Sequence, residues 1–103
     1  MSGEGGIPRA RRIPIEDRID LHAFIPREIS RLLGDYLEEA VRAGFRRVRI
    51  IHGRGAGTQR RTVRAVLSRH PMVETFADAA PEAGGWGATV ATLRAAEDAT
   101  SGR

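Results

Sequence analysis

The chain has 103 residues, 41% of them hydrophobic, enough for one modest core and too little for two, and no stretch approaches the roughly 18 consecutive apolar residues of a membrane span. It contains no cysteine, so a disulfide framework, a thiolate metal site and a cysteine nucleophile are all excluded. The net charge is +4 and all 17 basic residues are arginine; nine of them, Arg42, Arg46, Arg47, Arg49, Arg54, Arg60, Arg61, Arg64 and Arg69, fall between Ala40 and Val73 without one Asp or Glu, the electrostatic footprint of a phosphate-backbone partner.

Residues 1–14 mix Gly, Pro and Arg without periodicity and are expected to form a flexible basic arm. They lack the apolar segment of a secretory signal, which makes the cytoplasm the expected location. DRIDLH, residues 17–22, alternates Ile19 and Leu21 against Arg18, Asp20 and His22, the period-2 pattern of a half-buried strand, so Asp20 and His22 share a face. Pro26 suits a first helical turn, and Ile29, Leu32, Leu33, Tyr36, Leu37, Ala40 and Val41 follow one apolar helical face that Gly44 terminates. RRVRIIHG is a second strand ending at His52, and a glycine loop follows it. A second helix is expected from about Thr58 to His70, with Val63, Val66 and Leu67 inward, His70 as a cap in its last turn and Pro71 as its stop. MVETFAD and ATVATLR read as third and fourth strands, separated by the turn-rich AAPEAGGWG.

The order strand, helix, strand, helix, strand, strand predicts a two-layer α/β sandwich: a mixed four-stranded sheet with two helices, in which the first strands form a parallel core pair with a right-handed crossover and the last joins antiparallel. The domain is expected over residues 15–94, with a disordered tail at 95–103.

In open α/β sheets ligands gather beyond the carboxyl ends of parallel strands. His22 and His52 close the first two strands, so Asp20, His22, His52 and the loop Gly53 to Gly57 are expected along one edge. Glycines at 53, 55 and 57 let backbone N–H groups approach an anion, the following helix adds its positive end, and Arg54 and Arg60 can add bidentate phosphate contacts, with Arg61 and Arg64 on the same helix. A nucleotide cofactor is not expected. A Walker A loop needs a lysine, which this chain lacks, and counting from Gly53 the sixth position of a GxGxxG fingerprint is Thr58. Two chemistries fit the edge: His22 as general base oriented by Asp20, with His52 as a second base or acid, or a divalent metal such as Mg or Mn held by Asp20, His22 and His52. Trp86, the single tryptophan, sits in a loop where it can stack on a base or cover the core edge.

IDLH on the first strand, VRIIHGRGAG followed by Arg60, VLSRHPMVETFADA and GGWGATVATL together resemble the Smr domain, the small MutS-related module, over about residues 17–94. The resemblance implies a fold like the C-terminal domain of bacterial translation initiation factor three. It also implies DNA or RNA binding and, as in several family members, endonuclease or nicking activity. The family's LDLH-type motif falls on Ile19, Asp20, Leu21 and His22, and its HGxGxG loop on His52, Gly53, Gly55 and Gly57. The basic residue after the loop is Arg60, and GGxGAT falls on Gly84, Gly85, Gly87, Ala88 and Thr89, which adds Gly85 and Gly87 to the implied nucleic-acid-binding residues. The family's glycine after LDLH is Ala23 here and its leucine before the loop arginine is Gln59. A nucleic-acid phosphodiesterase is the leading expectation. The alternatives are a binding module without catalysis and a protein-interaction domain with an incidental basic face.

Overall fold

The computed structural model describes residues 15–55 and 57–95. The expected arm at 1–14 lies outside the described residues, as does the expected tail from 96 onward. The elements are β1 (Arg18–Asp20), α1 (Pro26–Arg42), β2 (Arg47–Ile51), α2 (Thr58–Arg69), β3 (Val73–Asp78) and β4 (Ala88–Leu93), with two 3-10 turns, Pro81–Ala83 and Gly85–Gly87, between the last two strands. This is the β-α-β-α-β-β order read from the sequence, and the sheet is mixed and four-stranded.

α1 forms because its apolar residues fall on one stripe: Ile29, Leu33, Tyr36, Leu37, Ala40 and Val41 are all buried. Its end is closed by two bonds, Gly44 N–H to the Val41 carbonyl and Phe45 N–H to the Ala40 carbonyl, each 3.0 Å, which satisfy carbonyls the last turn leaves free. α2 buries Val63, Val66 and Leu67. On β2, Val48 and Ile50 join these helical side chains in one core, so the alternate residues Arg47, Arg49 and Ile51 face away from the helices. His70 is the C-cap of α2, its backbone N–H bonded to the Val66 carbonyl at 3.0 Å. Its Nδ1 accepts the Met72 N–H at 3.2 Å, which requires a lone pair there and fixes the turn into β3. Among the described residues no helix is long and apolar enough to cross a membrane.

The sheet order is β1-β2-β4-β3. β1 and β2 are parallel, with Arg18 opposite Arg49, Ile19 opposite Ile50 and Asp20 opposite Ile51. This pair occupies one side of the sheet, with β1 at its margin, instead of the centre expected for it. β4 inserts antiparallel between β2 and β3. The physical reason lies in β4 itself: Ala88, Thr89, Ala91 and Leu93 are all buried, the profile of an interior strand, whereas β1 offers only three residues to pair. The parallel adjacency is what matters for the site, because it brings the carboxyl ends of β1 and β2 side by side.

Candidate functional site

Asp20 ends β1, and its Oδ1 accepts two bonds from His22: the backbone N–H at 3.0 Å and ring Nδ1 at 2.6 Å. A carboxylate only accepts, so Nδ1 carries a proton, and in the neutral ring the lone pair is on Nε2. Nε2 has no partner among the described residues, and the His22 side chain is 62% exposed. The hydrogen bond from the His22 side chain holds the Asp20 carboxyl below the usual carboxylate range. The pair is thus an oriented imidazole with its basic nitrogen open to solvent.

The glycine loop meets this pair directly. A Cβ on Gly53 would stand 3.3 Å from His22 Cβ, so the absence of a side chain at 53 leaves room for the root of the His22 side chain beside the loop. Gln59, in the first turn of α2, donates from Nε2 to the backbone carbonyls of His22 (3.2 Å) and Phe24 (3.3 Å). The residue that departs from the family's leucine therefore ties the helix start to the segment after β1. Gly57, the N-cap of α2, has φ of 91° and caps without a side-chain acceptor, so the first-turn N–H groups keep their capacity for an anion. The Arg61 guanidinium folds back over this point, with Nη1 3.5 Å from where a Gly57 Cβ would be. Gly55 makes no close approach that a side chain would disturb.

His52 lies on the same edge but does a different job. It is only 2% exposed, its Nδ1 meets the Gly53 carbonyl at 3.0 Å and its Nε2 meets Thr89 Oγ1 at 2.9 Å. Burial pushes its pKa down, so the ring is neutral. With both nitrogens engaged, His52 has no donor to offer a metal or a water. Asp20 Oδ1 is likewise committed to His22, and among the described residues no three His, Cys, Asp or Glu side chains gather as a ligand set. Asp20, His22 and His52 therefore do not fit a shared divalent ion as they stand.

The second glycine cluster locks the first. The Gly87 carbonyl accepts the N–H groups of both His52 (3.0 Å) and Gly53 (2.9 Å). The Arg54 side chain lies along this segment: Cβ atoms on Gly85 and Gly87 would approach its Nη2 and Cγ to 3.0 and 3.1 Å, and Nη2 donates to the Gly84 carbonyl at 3.3 Å. Gly85 and Gly87 are thus the bed of an arginine.

Arg60 and Arg64 project from α2 toward the end of β3, where Asp78 Oδ1 accepts from Arg60 Nη2 at 2.7 Å and Arg64 Nη1 at 3.2 Å. The bond from Arg60, with the charges of both guanidinium groups, holds the Asp78 carboxyl below its usual range. Each guanidinium also covers an aromatic ring, Arg60 over Trp86 at 5.1 Å and Arg64 over Phe76 at 5.0 Å. Arg60 Nε is buried without a partner. Trp86 thus has one face occupied by a cation, yet remains 46% exposed. Sequence reasoning missed Asp78, and it named Thr89 only as a motif position and Gln59 only as a departure from the family, without the bonds they make. Only Thr89 left a signal, as a hydroxyl at a core-facing position of an apolar strand.

The three motif segments of this edge lie within residues 19–94, which match the family model described as the Smr domain. The chain belongs to the Smr domain family. The Smr domain of Thermus thermophilus MutS2 has a crystal structure similar to this one, with a TM-score of 0.73 and 40% identity, over 75% of this chain and 96% of that one. The crystal structure of YdaL, a stand-alone small MutS-related protein from Escherichia coli, superposes with a TM-score of 0.71 and 27% identity, over 84% of this chain and 70% of that one. Among curated proteins, the endonuclease MutS2 of Thermomicrobium roseum is 42% identical over 79 residues, covering 77% of this chain. The endonuclease MutS2 of Staphylococcus aureus is 35% identical over 88 residues, 85% of this chain. This Smr chain spans only 10 to 12% of the length of those two relatives.

Proposed function

We propose that this Smr domain binds nucleic acid and hydrolyses its phosphodiester backbone. The carrying observation is the exposed Asp20–His22 pair, Oδ1 to Nδ1 at 2.6 Å, seated against Gly53 at the mouth of the glycine loop. Kinship with proteins named endonuclease MutS2 supports the reading.

In this mechanism a phosphate lies over the first turn of α2, where N–H groups and the helix dipole favour negative charge, with Arg54 and Arg61 at its sides. His22 Nε2 takes a proton from a water as its oxygen attacks phosphorus, and the bond to the leaving oxygen breaks with its electron pair going to that oxygen, which takes up a proton from solvent. The imidazolium formed is stabilised by Asp20 through Nδ1. Arg60 and Arg64 retain free N–H donors beyond those given to Asp78 and can reach the neighbouring backbone. His52 holds the loop, and no step passes through a metal.

General-base catalysis contributes about 10² to 10⁴ in rate. The test compares wild type with His22→Ala on nicked, branched and single-stranded DNA and on RNA, with and without divalent metal, measuring cleavage and binding side by side. Cleavage should fall by about 10² or more while salt-sensitive binding persists. Unchanged cleavage by His22→Ala refutes the assignment. Binding by a wild type that never cuts supports recognition alone.

A further inference from the structure

Beside the Asp20–His22 pair, on the face of the sheet turned away from the helices, an open cleft of about 450 Å³ lies between β2 and the turn Pro81–Ala83. Its volume falls within the range of small-molecule sites. Ile51 and Ala88, partners across β2 and β4, form an apolar floor. Ile51 is also the partner of Asp20, so the cleft adjoins the catalytic edge and shares Gly53 and Arg54 with the glycine loop. Arg49 and Arg54 line it, the first fixed by its Nη1 on the Ala83 carbonyl at 2.9 Å, the second by its bed of glycines. Glu82 lines it too. Neither arginine has an acidic partner among the described residues, and nothing in the hydrolytic mechanism accounts for Arg49 or Glu82.

We infer that this cleft takes an unpaired nucleobase, and that the base it fits best is guanine. This rests on the reading of the chain as a nucleic-acid phosphodiesterase and adds a substrate class to it: single-stranded nucleic acid, read at a nucleotide next to the cut. An apolar floor with planar guanidinium groups suits a base splayed out of its stack, a mode that paired bases cannot adopt. The identity follows from the two forks. A carboxylate accepts two parallel N–H bonds, and an arginine donates two. Guanine presents two adjacent donors, N1–H and the N2 amine, together with two adjacent acceptors, O6 and N7. The other bases lack one of these matched pairs.

The experiment is fluorescence anisotropy of the full chain with labelled single-stranded oligonucleotides that carry one guanine, inosine, adenine or cytosine in a uniform pyrimidine background, in DNA and RNA versions, with a duplex of the same sequence. The guanine strand should bind about tenfold tighter than the adenine strand, and inosine, which lacks the N2 amine, should fall between. Glu82→Gln, a surface change that leaves the fold intact, should abolish the preference while the pyrimidine background binds as before. Arg49→Ala should weaken the guanine strand selectively. Equal affinity for all strands, a guanine preference untouched by Glu82→Gln, a uniform loss in Arg49→Ala, or a duplex bound as tightly as the single strand would each overturn the inference. Cleavage without base preference would leave the phosphodiesterase standing and remove the cleft. A guanine preference in a protein that never cuts would do the reverse.

Discussion

Thr89→Val tests whether His52 is a structural residue. The Gly53 carbonyl can only accept, so His52 Nδ1 carries the proton and Nε2 accepts from the Thr89 hydroxyl at 2.9 Å. Valine keeps the shape and removes that donor. Thr89 is 0% and His52 2% exposed, so water cannot replace it, and a buried acceptor left unsatisfied costs about 1–3 kcal/mol. For a domain of this size each kcal/mol lowers Tm by about 4–8 °C, readable by circular dichroism and by urea unfolding at pH 7.5. Acid gives an independent check. Burial lowers the folded-state pKa of His52 below its ordinary 6.5, so the unfolded chain binds the proton more readily. The contribution of neutral His52 is therefore complete above that value and declines as pH falls toward the folded pKa, at no more than about 1.4 kcal/mol per pH unit. His52→Gln should remove this part of the pH dependence. A Thr89→Val protein as stable as wild type, with pH dependence unaltered by His52→Gln, would mean that the ring is solvated, and would return His52 to the list of proton carriers.

Asp20→Asn should leave circular dichroism and binding unchanged and lower cleavage by about 10² or more, because the imidazolium loses its counter-charge; undiminished cleavage would detach Asp20 from the chemistry. Asp78→Asn should tighten binding at low salt and steepen the dependence of log K on log salt by up to about one unit, as Arg60 and Arg64 become free to neutralise one more phosphate. Weaker binding would instead make Asp78 the group that positions those arginines. Gly87→Ala places a Cβ 3.1 Å from Arg54 Cγ and should displace that guanidinium, weakening nucleic-acid binding with little loss of stability. If Arg54→Ala weakens binding further in the Gly87→Ala background, the two residues do not act as a unit.

The element order and helix limits were legible because they rest on local periodicity and stop signals: the α1 stripe, Gly44 and Pro71 are written in the chain. The convergence of Asp20, His22 and the loop was legible too, since parallel neighbours place their carboxyl ends together. What could not be read was whether a polar side chain at that edge points to solvent or inward. His22 and His52 each close a strand, yet one is open and the other is buried against Thr89, a distinction set by β4 arriving from 37 positions further along the chain. The central position of β4 is a tertiary fact of the same kind, decided by which strand is the most buried.

Charge shows the same limit. The run from Ala40 to Val73 has no acidic residue, but acid-free in sequence is not acid-free in space. Glu39 and Glu74 flank the run and pair with Arg42 (2.8 Å) and Arg46 (3.8 Å), while Asp78 takes both Arg60 and Arg64. Of the nine arginines, Arg47, Arg49, Arg54, Arg61 and Arg69 have no acidic partner among the described residues. Arg54 and Arg61 stand at the glycine loop, and Arg47 and Arg49 lie on the sheet face away from the helices, so the unneutralised charge continues from the loop onto that face. A single strand gripped at the loop, with its next base turned over the sheet, would follow this charge; a rigid duplex centred on α2 would instead meet the arginines that Asp78 already holds.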